Sequence, residues 1–202
     1  MMVKICGVTS REDALAAVDA GASAIGLNFC RQSPRYLSPP DAAKIAGVLP
    51  SGILKVGVFV DEAPETIARM ALEAGLDVVQ IHGNARYSTL PVWRAVPIRN
   101  AIDATVFDDS KAEAFLLDTA SSKLHGGTGQ TFPWSLARDA GYLTTRKIIV
   151  AGGLDESNVR TAILEARPWG VDVCSRIESA PGRKDHSKMT RFIKAALTAE
   201  NS

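Results

Sequence analysis

Short runs of apolar and β-branched residues alternate with alanine-rich stretches along the chain, and this alternation predicts strands followed by helices. Ile148, Ile149 and Val150 form a nearly continuous apolar run, which is typical of a sheet buried on both faces. Ser10 and Pro64 are favoured residues for beginning a helix. Eight predicted strands with right-handed crossovers therefore favour a single α/β domain, a (β/α)8 barrel, over an open doubly wound sheet.

The predicted boundaries cover nearly the whole chain. Strands are predicted at residues 3–6, 24–28, 54–60, 77–81, 98–102, 113–118, 147–151 and 170–174. Helices are predicted at 10–20, 39–48, 64–74, 90–96, 133–140, 158–166 and 188–199, with a short one near residue 109. No linker separates these segments, so we expect one domain spanning residues 1–202.

The composition excludes several classes of protein. Hydrophobic residues make up 46% of the 202 residues, charged residues make up 22%, and the formal net charge is +1. Without a long basic run, binding to nucleic acid or to a membrane surface is not expected. The apolar runs are too short to span a bilayer or to form a signal peptide. Three widely spaced cysteines, Cys6, Cys30 and Cys174, fit neither a disulfide framework nor a metal site, so we expect a cytoplasmic protein.

Two residues with acid–base chemistry end predicted strands, where (β/α)8 barrels hold their active sites. Cys6 ends the first strand, and it is interpreted either as an inert buried thiol or as a base. Asp118 ends the sixth, and it either braces the next loop or is a carboxyl that burial keeps protonated. Strand alternation is taken to direct Lys4 to the other face of the barrel, so Lys4 is not expected to assist Cys6.

The last two strand ends predict a phosphate site. Gly152 and Gly153 follow the seventh strand, and Ser175 and Arg176 follow the eighth. A glycine pair alone is equally consistent with a tight turn, but the two loops together occupy the place where many barrels bind phosphate. Strands six and one flank this position, so a sugar extending from the phosphate would pass between Asp118 and the first strand. That arrangement suits proton transfers on a sugar phosphate.

Three other residues have weaker signals. Arg35 lies on a proline-stiffened loop after the second strand, and it is either a solvated surface residue or a ligand for a carboxylate. His82 directly follows the fourth strand, and a hydrogen-bonded structural histidine is the favoured interpretation. Gly127 belongs to the glycine-rich segment 126–129, which is predicted to fold over a substrate as a flexible loop.

The chain resembles the phosphoribosylanthranilate isomerase family in motifs that run from the first strand to the last. The matching segments are 4–7, 33–35, 56–59, 80–83, 117–118, 126–129, 151–154, 158–159, 170–173, 178–182 and 184–185. The resemblance implies an Amadori rearrangement that converts N-(5-phosphoribosyl)anthranilate to 1-(2-carboxyphenylamino)-1-deoxyribulose 5-phosphate, without metal or cofactor. It also implies a barrel of the ribulose-phosphate-binding type, acting as a monomer or homodimer.

The resemblance assigns a role to each matching site residue. Asp118 is implied to be the general acid and Cys6 the general base. Arg35 is implied to bind the anthranilate carboxylate. The phosphate is implied to lie against the loops containing Gly152, Gly153 and Ser175.

Two departures from the family pattern fall in the loop after the eighth strand. Cys174 replaces a serine and Arg176 replaces a glycine, and strain is expected at Arg176 if the position requires a positive φ. These changes keep a dual-substrate aminoaldose-phosphate isomerase of the histidine pathway open as an alternative. A catalytically silent barrel that binds phosphosugars is the alternative from another class, although it has no need of both Cys6 and Asp118.

Overall fold

The computed structural model describes residues 1–86, 89–119 and 131–199, and it confirms the (β/α)8 barrel. Eight parallel strands close in chain order, and the last pairs with the first. These strands are β1 (Met2–Ile5), β2 (Ala24–Asn28), β3 (Leu54–Val60), β4 (Val78–His82), β5 (Val92–Ile98), β6 (Ala112–Thr119), β7 (Lys147–Val150) and β8 (Gly170–Val173). In the described ranges, no helix is long and apolar enough to cross a membrane.

Helices surround the barrel in the order that the sequence predicts, except between β4 and β5 and between β5 and β6, where the described residues contain no α-helix near residue 109. They are α1 (Arg11–Asp19), α2 (Pro39–Ala46), α3 (Pro64–Ala74), α4 (Trp134–Leu143), α5 (Val159–Ala166) and α6 (His186–Thr198). Ser10 caps α1 by accepting a hydrogen bond from the Asp13 amide at 3.0 Å. Gly75 ends α3 with a φ of 64°, which a residue with a side chain adopts only under strain.

Short elements also follow β5 and β8. A 3-10 turn spans Ala104–Phe107 and a second one spans Ser175–Ile177. The second turn leads into a small antiparallel hairpin of β9 (Glu178–Ala180) and β10 (Arg183–Lys184). This hairpin lies between the end of the barrel and α6, and it contributes two charged side chains to the site described below.

The prediction for residues 90–102 was wrong. The predicted helix at 90–96 is most of β5, and the predicted strand at 98–102 is largely loop. Pro97 is unusual inside a strand such as β5, because proline has no amide hydrogen to donate to a neighbouring strand. Pairing between β5 and β4 ends at Arg94, whereas pairing between β5 and β6 continues to Ile98. Pro97 therefore lies where only one edge of β5 is paired.

Alternation along the strands divides the barrel interior into layers. The lower layer is an apolar cluster that includes Met2, Val78 and Leu116 and fills the N-terminal half. Two residues further along β1 and β4, the interior positions become polar, at Lys4 and Gln80. The apolar layer therefore closes the base of the barrel and leaves its C-terminal mouth for polar side chains.

Candidate active site

An open cavity lies at the C-terminal mouth of the barrel, and its empty space together with adjoining open solvent is about 670 Å³. It contains every site residue predicted from the sequence that lies in the described ranges. These residues are Cys6, Arg35, His82, Asp118, Gly152, Gly153, Ser175 and Arg176. Gly127 and the predicted loop at 126–129 lie outside the described residues. In those described ranges, no group of three or more His, Cys, Asp or Glu side chains is arranged to hold a metal ion.

Cys6 is held by the backbone at the junction of β1 and β8. Its amide donates to the Val173 carbonyl at 2.9 Å, and the residue is only 8% exposed. A Cβ atom on Gly26 of the neighbouring strand would lie 2.8 Å from the Cys6 sulfur, closer than real contacts allow. Glycine at position 26 therefore provides the space that the thiol occupies.

Lys4 points into the barrel, and the prediction that it faces the other way was wrong. Residues two apart on a strand share a face, so Lys4 and Cys6 both project into the interior. Lys4 is fully buried, and its Nζ lies 2.9 Å from Oδ1 of Asp172 on β8. A buried ammonium group is consequently present directly below the thiol.

The surroundings of Cys6 favour its thiolate. A hydrogen bond with Cys174 lowers the pKa of the Cys6 thiol well below its usual value, against the opposing effect of burial. The positive charges of Lys4 and Lys184 lower it further. The pKa of the Cys174 thiol moves the opposite way, because it hydrogen-bonds to Cys6 and is itself buried. These opposite shifts favour the negative charge on Cys6 and the proton on Cys174.

Asp118 has the opposite tendency. Burial and the negative charge of Cys6 raise the pKa of Asp118 to about 6, against a hydrogen bond from the Thr119 amide and the charge of Lys4. Of the two interpretations from the sequence, these surroundings favour the carboxyl that holds a proton more readily than an exposed aspartate. One cavity thus contains a thiol that favours losing its proton and a carboxyl that favours keeping one.

The loop after β7 has a conformation that requires glycine. Gly152 and Gly153 have φ angles of 80° and 68°. A Cβ atom on Gly152 would lie 2.4 Å from Oγ1 of Thr119 and 2.5 Å from its amide nitrogen. Asn158 fixes the loop by donating from Nδ2 to the Gly153 carbonyl at 3.0 Å. The backbone of this loop therefore has no side chain to keep an anion away.

The loop after β8 completes the same end of the cavity. Ser175 and Arg176 lie in the 3-10 turn, and Arg176 is exposed. Among the described non-glycine residues, only Asp61 and Arg167 have a positive φ, so the strain considered for Arg176 does not arise. The replacement of glycine at position 176 adds a positive charge without forcing the backbone into a left-handed conformation.

Arg35 is paired with Glu178, a residue that sequence analysis did not select. Its Nε and Nη2 donate to the two carboxylate oxygens at 2.8 and 2.6 Å. Lys184 is fully buried at the side chain and binds the same carboxylate at 2.9 Å. Because Nη1 takes no part in the Glu178 pair, the outer edge of the guanidinium can still bind a ligand carboxylate.

Gln80 is a second residue that sequence analysis passed over as a ligand. It is 2% exposed and lines the cavity, and its Nε2 lies 3.0 Å from Nε2 of His82. This contact agrees with the favoured interpretation of His82 as hydrogen-bonded. Within the described residues Oε1 of Gln80 has no partner, although it is buried. A buried acceptor without a partner is costly, so a hydroxyl or N–H group of a bound ligand would stabilise it.

A family model and two relatives of high identity point to the same family. A family model described as N-(5'phosphoribosyl)anthranilate (PRA) isomerase matches residues 3–195. An N-(5'-phosphoribosyl)anthranilate isomerase of Solibacter usitatus is 48% identical over 203 residues, which cover 98% of each chain. One of Trichlorobacter lovleyi is 43% identical over 202 residues, with the same coverage.

Solved structures agree with these sequence matches. Phosphoribosyl anthranilate isomerase from Thermotoga maritima superposes with a TM-score of 0.90 at 40% identity, covering 98% of both chains. A phosphoribosyl anthranilate isomerase in complex with reduced 1-(o-carboxyphenylamino)-1-deoxyribulose 5-phosphate superposes with a TM-score of 0.84 at 38% identity, also covering 98% of both.

Proposed function

We propose that this chain, which belongs to the phosphoribosylanthranilate isomerase family, uses Asp118 as general acid and Cys6 as general base of its reaction. The enzyme converts N-(5'-phosphoribosyl)anthranilate to 1-(2-carboxyphenylamino)-1-deoxyribulose 5-phosphate, a step of tryptophan biosynthesis. One observation carries the assignment of roles: the thiol and the carboxyl line one cavity, and their surroundings shift their pKa values in opposite directions.

In the first step the protonated carboxyl of Asp118 donates its proton to the ring oxygen of the ribose. The bond between C1 and that oxygen breaks, and the lone pair of the anilino nitrogen forms the C1=N bond of a protonated Schiff base. Because the leaving oxygen departs as a hydroxyl group, no strong base has to form in the buried site. Asp118 is left as a carboxylate.

In the second step the thiolate of Cys6 removes the proton from C2 of the sugar. The electron pair of that C–H bond forms a C1=C2 double bond, and the electrons of C1=N return to nitrogen to give an enolamine. The Schiff base acidifies the C2 proton, so a thiolate is a sufficient base. Protonation of C1 and loss of the C2 hydroxyl proton then give the ketone.

The rest of the cavity orients the substrate between these two groups. The backbone amides around Gly153 and Ser175 would bind the phosphate, and the exposed guanidinium of Arg176 would add positive charge there. Arg35 would bind the anthranilate carboxylate through the edge that Glu178 leaves open. With both ends of the substrate bound, its sugar carbons lie at the centre of the cavity.

The activity is tested directly with purified protein. Incubation with the fluorescent substrate is expected to give a decrease in fluorescence that accompanies formation of the ketose product, without added metal or cofactor. Binding of the substrate without turnover would instead support the catalytically silent barrel. Turnover of the histidine-pathway aminoaldose in the same preparation would support the dual-substrate alternative.

Replacing Arg35 with methionine is expected to raise KM by about 10- to 100-fold, because the variant loses a charge-assisted pair with the substrate carboxylate. Steady-state kinetics with the natural substrate and with its analogue made from aniline separate this effect from misfolding. The aniline analogue has no carboxylate, so its KM should be nearly the same in the Arg35→Met variant and in the original enzyme. The double variant R35M/E178Q repeats the comparison without the Glu178 carboxylate, which in R35M would keep only Lys184 as its partner.

Arg176→Gly is expected to raise KM by about 2- to 5-fold at low ionic strength, because an exposed charge contributes modestly to phosphate binding. The measurement is KM at low and at high salt. At high salt, screening should make the KM values of the variant and the original enzyme nearly equal. An Arg167→Gly variant provides a control, since that arginine ends α5 outside the cavity. If Arg176→Gly and the original enzyme have the same KM at low salt as well as at high salt, Arg176 takes no part in phosphate binding.

We further propose that residues 1–202 form one barrel domain of the ribulose-phosphate-binding type that works in the cytoplasm. The described structure supports a single barrel, since every strand from β1 to β8 belongs to one closed sheet. A solved relative from Thermotoga maritima is described as a dimeric enzyme from which monomers were generated. Either a monomer or a homodimer is compatible with a cavity lined by one chain, and sedimentation would decide between them.

A further inference from the structure

Lys4 has an unusual position for an ammonium group. It is fully buried inside the barrel, one layer below Cys6, and its carboxylate partner Asp172 is 7% exposed. A buried charge is tolerated only when it is paired, and the ion pair of 2.9 Å satisfies this requirement with one carboxylate. The same ammonium also interacts with the Cys6 sulfur, so two anionic groups share one buried cation.

We propose that Lys4 is a positioning residue whose buried ammonium keeps the Cys6 thiol ionised, while Asp172 limits that effect by competing for the same charge. The inference rests on the proposed function of Cys6 as general base. It goes beyond that role, because the ease with which the Cys6 thiol ionises then depends on the opposing charges of Lys4 and Asp172.

The geometry around Gly26 brings the two side chains together. A Cβ atom at that position would lie 2.8 Å from the Cys6 sulfur and 3.1 Å from Cε of Lys4. The end of the lysine stem and the sulfur therefore border the same small space, and glycine at position 26 places no side chain between them. The apolar residues of the lower layer, such as Met2 and Ala24, exclude water from beneath the pair. In such a site a charge acts more strongly than it does in water.

Other charged groups near the thiol do not replace Lys4. The groups that influence Cys6 or the Lys4–Asp172 pair come from several elements around the mouth, namely Lys4, Arg35, Asp118, Asp172, Cys174 and Lys184. Lys184 binds Glu178 at 2.9 Å and the Cys174 carbonyl at 3.2 Å, and Arg35 is held by Glu178. Both of these cations thus already have a carboxylate partner other than Asp172.

The competition appears in the pKa values of the groups. Burial would lower the pKa of Lys4, but Asp172 and Cys6 together raise it, so the ammonium stays charged. Burial raises the pKa of Asp172 to about 8 and Lys4 opposes this rise, whereas the charge of Cys6 adds to it. Ionisation of the thiol therefore works against ionisation of Asp172, as expected for two anions that share one cation.

The test uses two substitutions, one on each side of the Lys4–Asp172 pair. If the pair were purely structural, both substitutions would have the same effect on the thiol. Lys4→Met removes the cation, so the thiol should become harder to ionise. Asp172→Asn removes the competing carboxylate, so the thiol should become easier to ionise. The readout is the pH dependence of iodoacetamide alkylation at Cys6 in the enzyme without substrate, with peptide mapping to separate Cys6 from Cys30 and Cys174.

We expect the midpoint of the alkylation profile to move to higher pH in K4M and to lower pH in D172N. A shift of one pH unit in K4M corresponds to about a tenfold lower alkylation rate below the midpoint. Midpoints that move in the same direction, or that stay in place in folded variants, would overturn the proposal. If K4M does not fold, the double variant K4M/D172N is compared with D172N, and the double variant must have the higher midpoint.

The experiment also separates this inference from the assignment of Cys6 as base. Alkylation reports the ionisation of the thiol whether or not the thiol serves in turnover. Full activity of a Cys6→Ser variant would reject the role of Cys6, and an alkylation profile insensitive to position 4 would reject only the role of Lys4. The acidic limb of the pH profile of kcat/KM should follow the alkylation midpoints if both assignments hold.

Discussion

Replacing Cys6 with serine is expected to lower kcat by about 10²- to 10⁴-fold with little change in KM. Serine keeps the size and hydrogen bonds of the side chain, but a hydroxyl group does not ionise in the range where the buried thiol does. The interactions that lower the pKa of Cys6, from Cys174 and Lys4, therefore cannot make serine an effective base. Steady-state fluorescence kinetics give kcat and KM separately.

Cys30→Ser is the matched control for this substitution. The Cys30 thiol donates to Oε1 of Gln32 at 3.0 Å, and the residue does not line the cavity. Its replacement should leave both kinetic constants nearly unchanged. A Cys6→Ser enzyme with the turnover of the original protein would show that some other group removes the C2 proton.

Replacing Asp118 with asparagine is expected to lower kcat by a similar factor, about 10²- to 10⁴-fold, because an amide cannot donate the proton that opens the ring. The variant also changes the pH profile. The acid form of Asp118 is lost as pH rises through its pKa of about 6, so kcat/KM of the original enzyme should fall on the alkaline side. That limb should disappear from the residual activity of the variant.

The same substitution should change stability in the opposite direction from activity. The folded-state pKa of Asp118 is raised above the ordinary value of 3.8, so folding favours its protonated form. The contribution of this carboxyl to stability is therefore complete below the ordinary pKa and is lost as pH rises through about 6. At neutral pH the asparagine variant should have the higher melting temperature, and near pH 4 the difference should largely vanish.

Asp139→Asn controls for the loss of a carboxylate, because Asp139 is exposed on α4 next to Arg138. It should change neither kcat nor the pH profile. An Asp118→Asn variant that retains the alkaline limb would contradict the assignment of that limb to Asp118. Retained turnover in that variant would place the general acid elsewhere.

The positions at the barrel mouth could be predicted from the sequence because each follows a recognisable strand. Once β1 and β6 are located, their ends must meet at one face of a parallel barrel, and this brings Cys6 and Asp118 into one cavity. Lys4 was also within reach of the sequence, since a spacing of two along a strand places it on the same face as Cys6. The prediction for Lys4 was wrong because the two-residue alternation of β1 was applied incorrectly, although the sequence contains the spacing that gives the right face.

Other features depend on contacts that the sequence does not contain. Arg35 and Glu178 are 143 positions apart, and only the closed barrel brings the loop after β2 against the turn after β8. The environment of Gln80 likewise depends on the packing of His82 beside it. In β5, the pattern around Pro97 is ambiguous because the local sequence cannot show that one side of the strand lacks a partner.

The proposed function requires one spatial arrangement, in which the reacting carbons of the sugar lie between the Cys6 sulfur and the Asp118 carboxyl. It is tested most directly by a crystal structure of this enzyme with the reduced product analogue that a relative has bound. We expect C2 within contact distance of the sulfur, the carboxyl within hydrogen-bonding distance of a sugar oxygen, and the phosphate on the amides of Gly153 and Ser175. An analogue bound with its phosphate on those amides but its sugar carbons out of reach of either side chain would contradict the account.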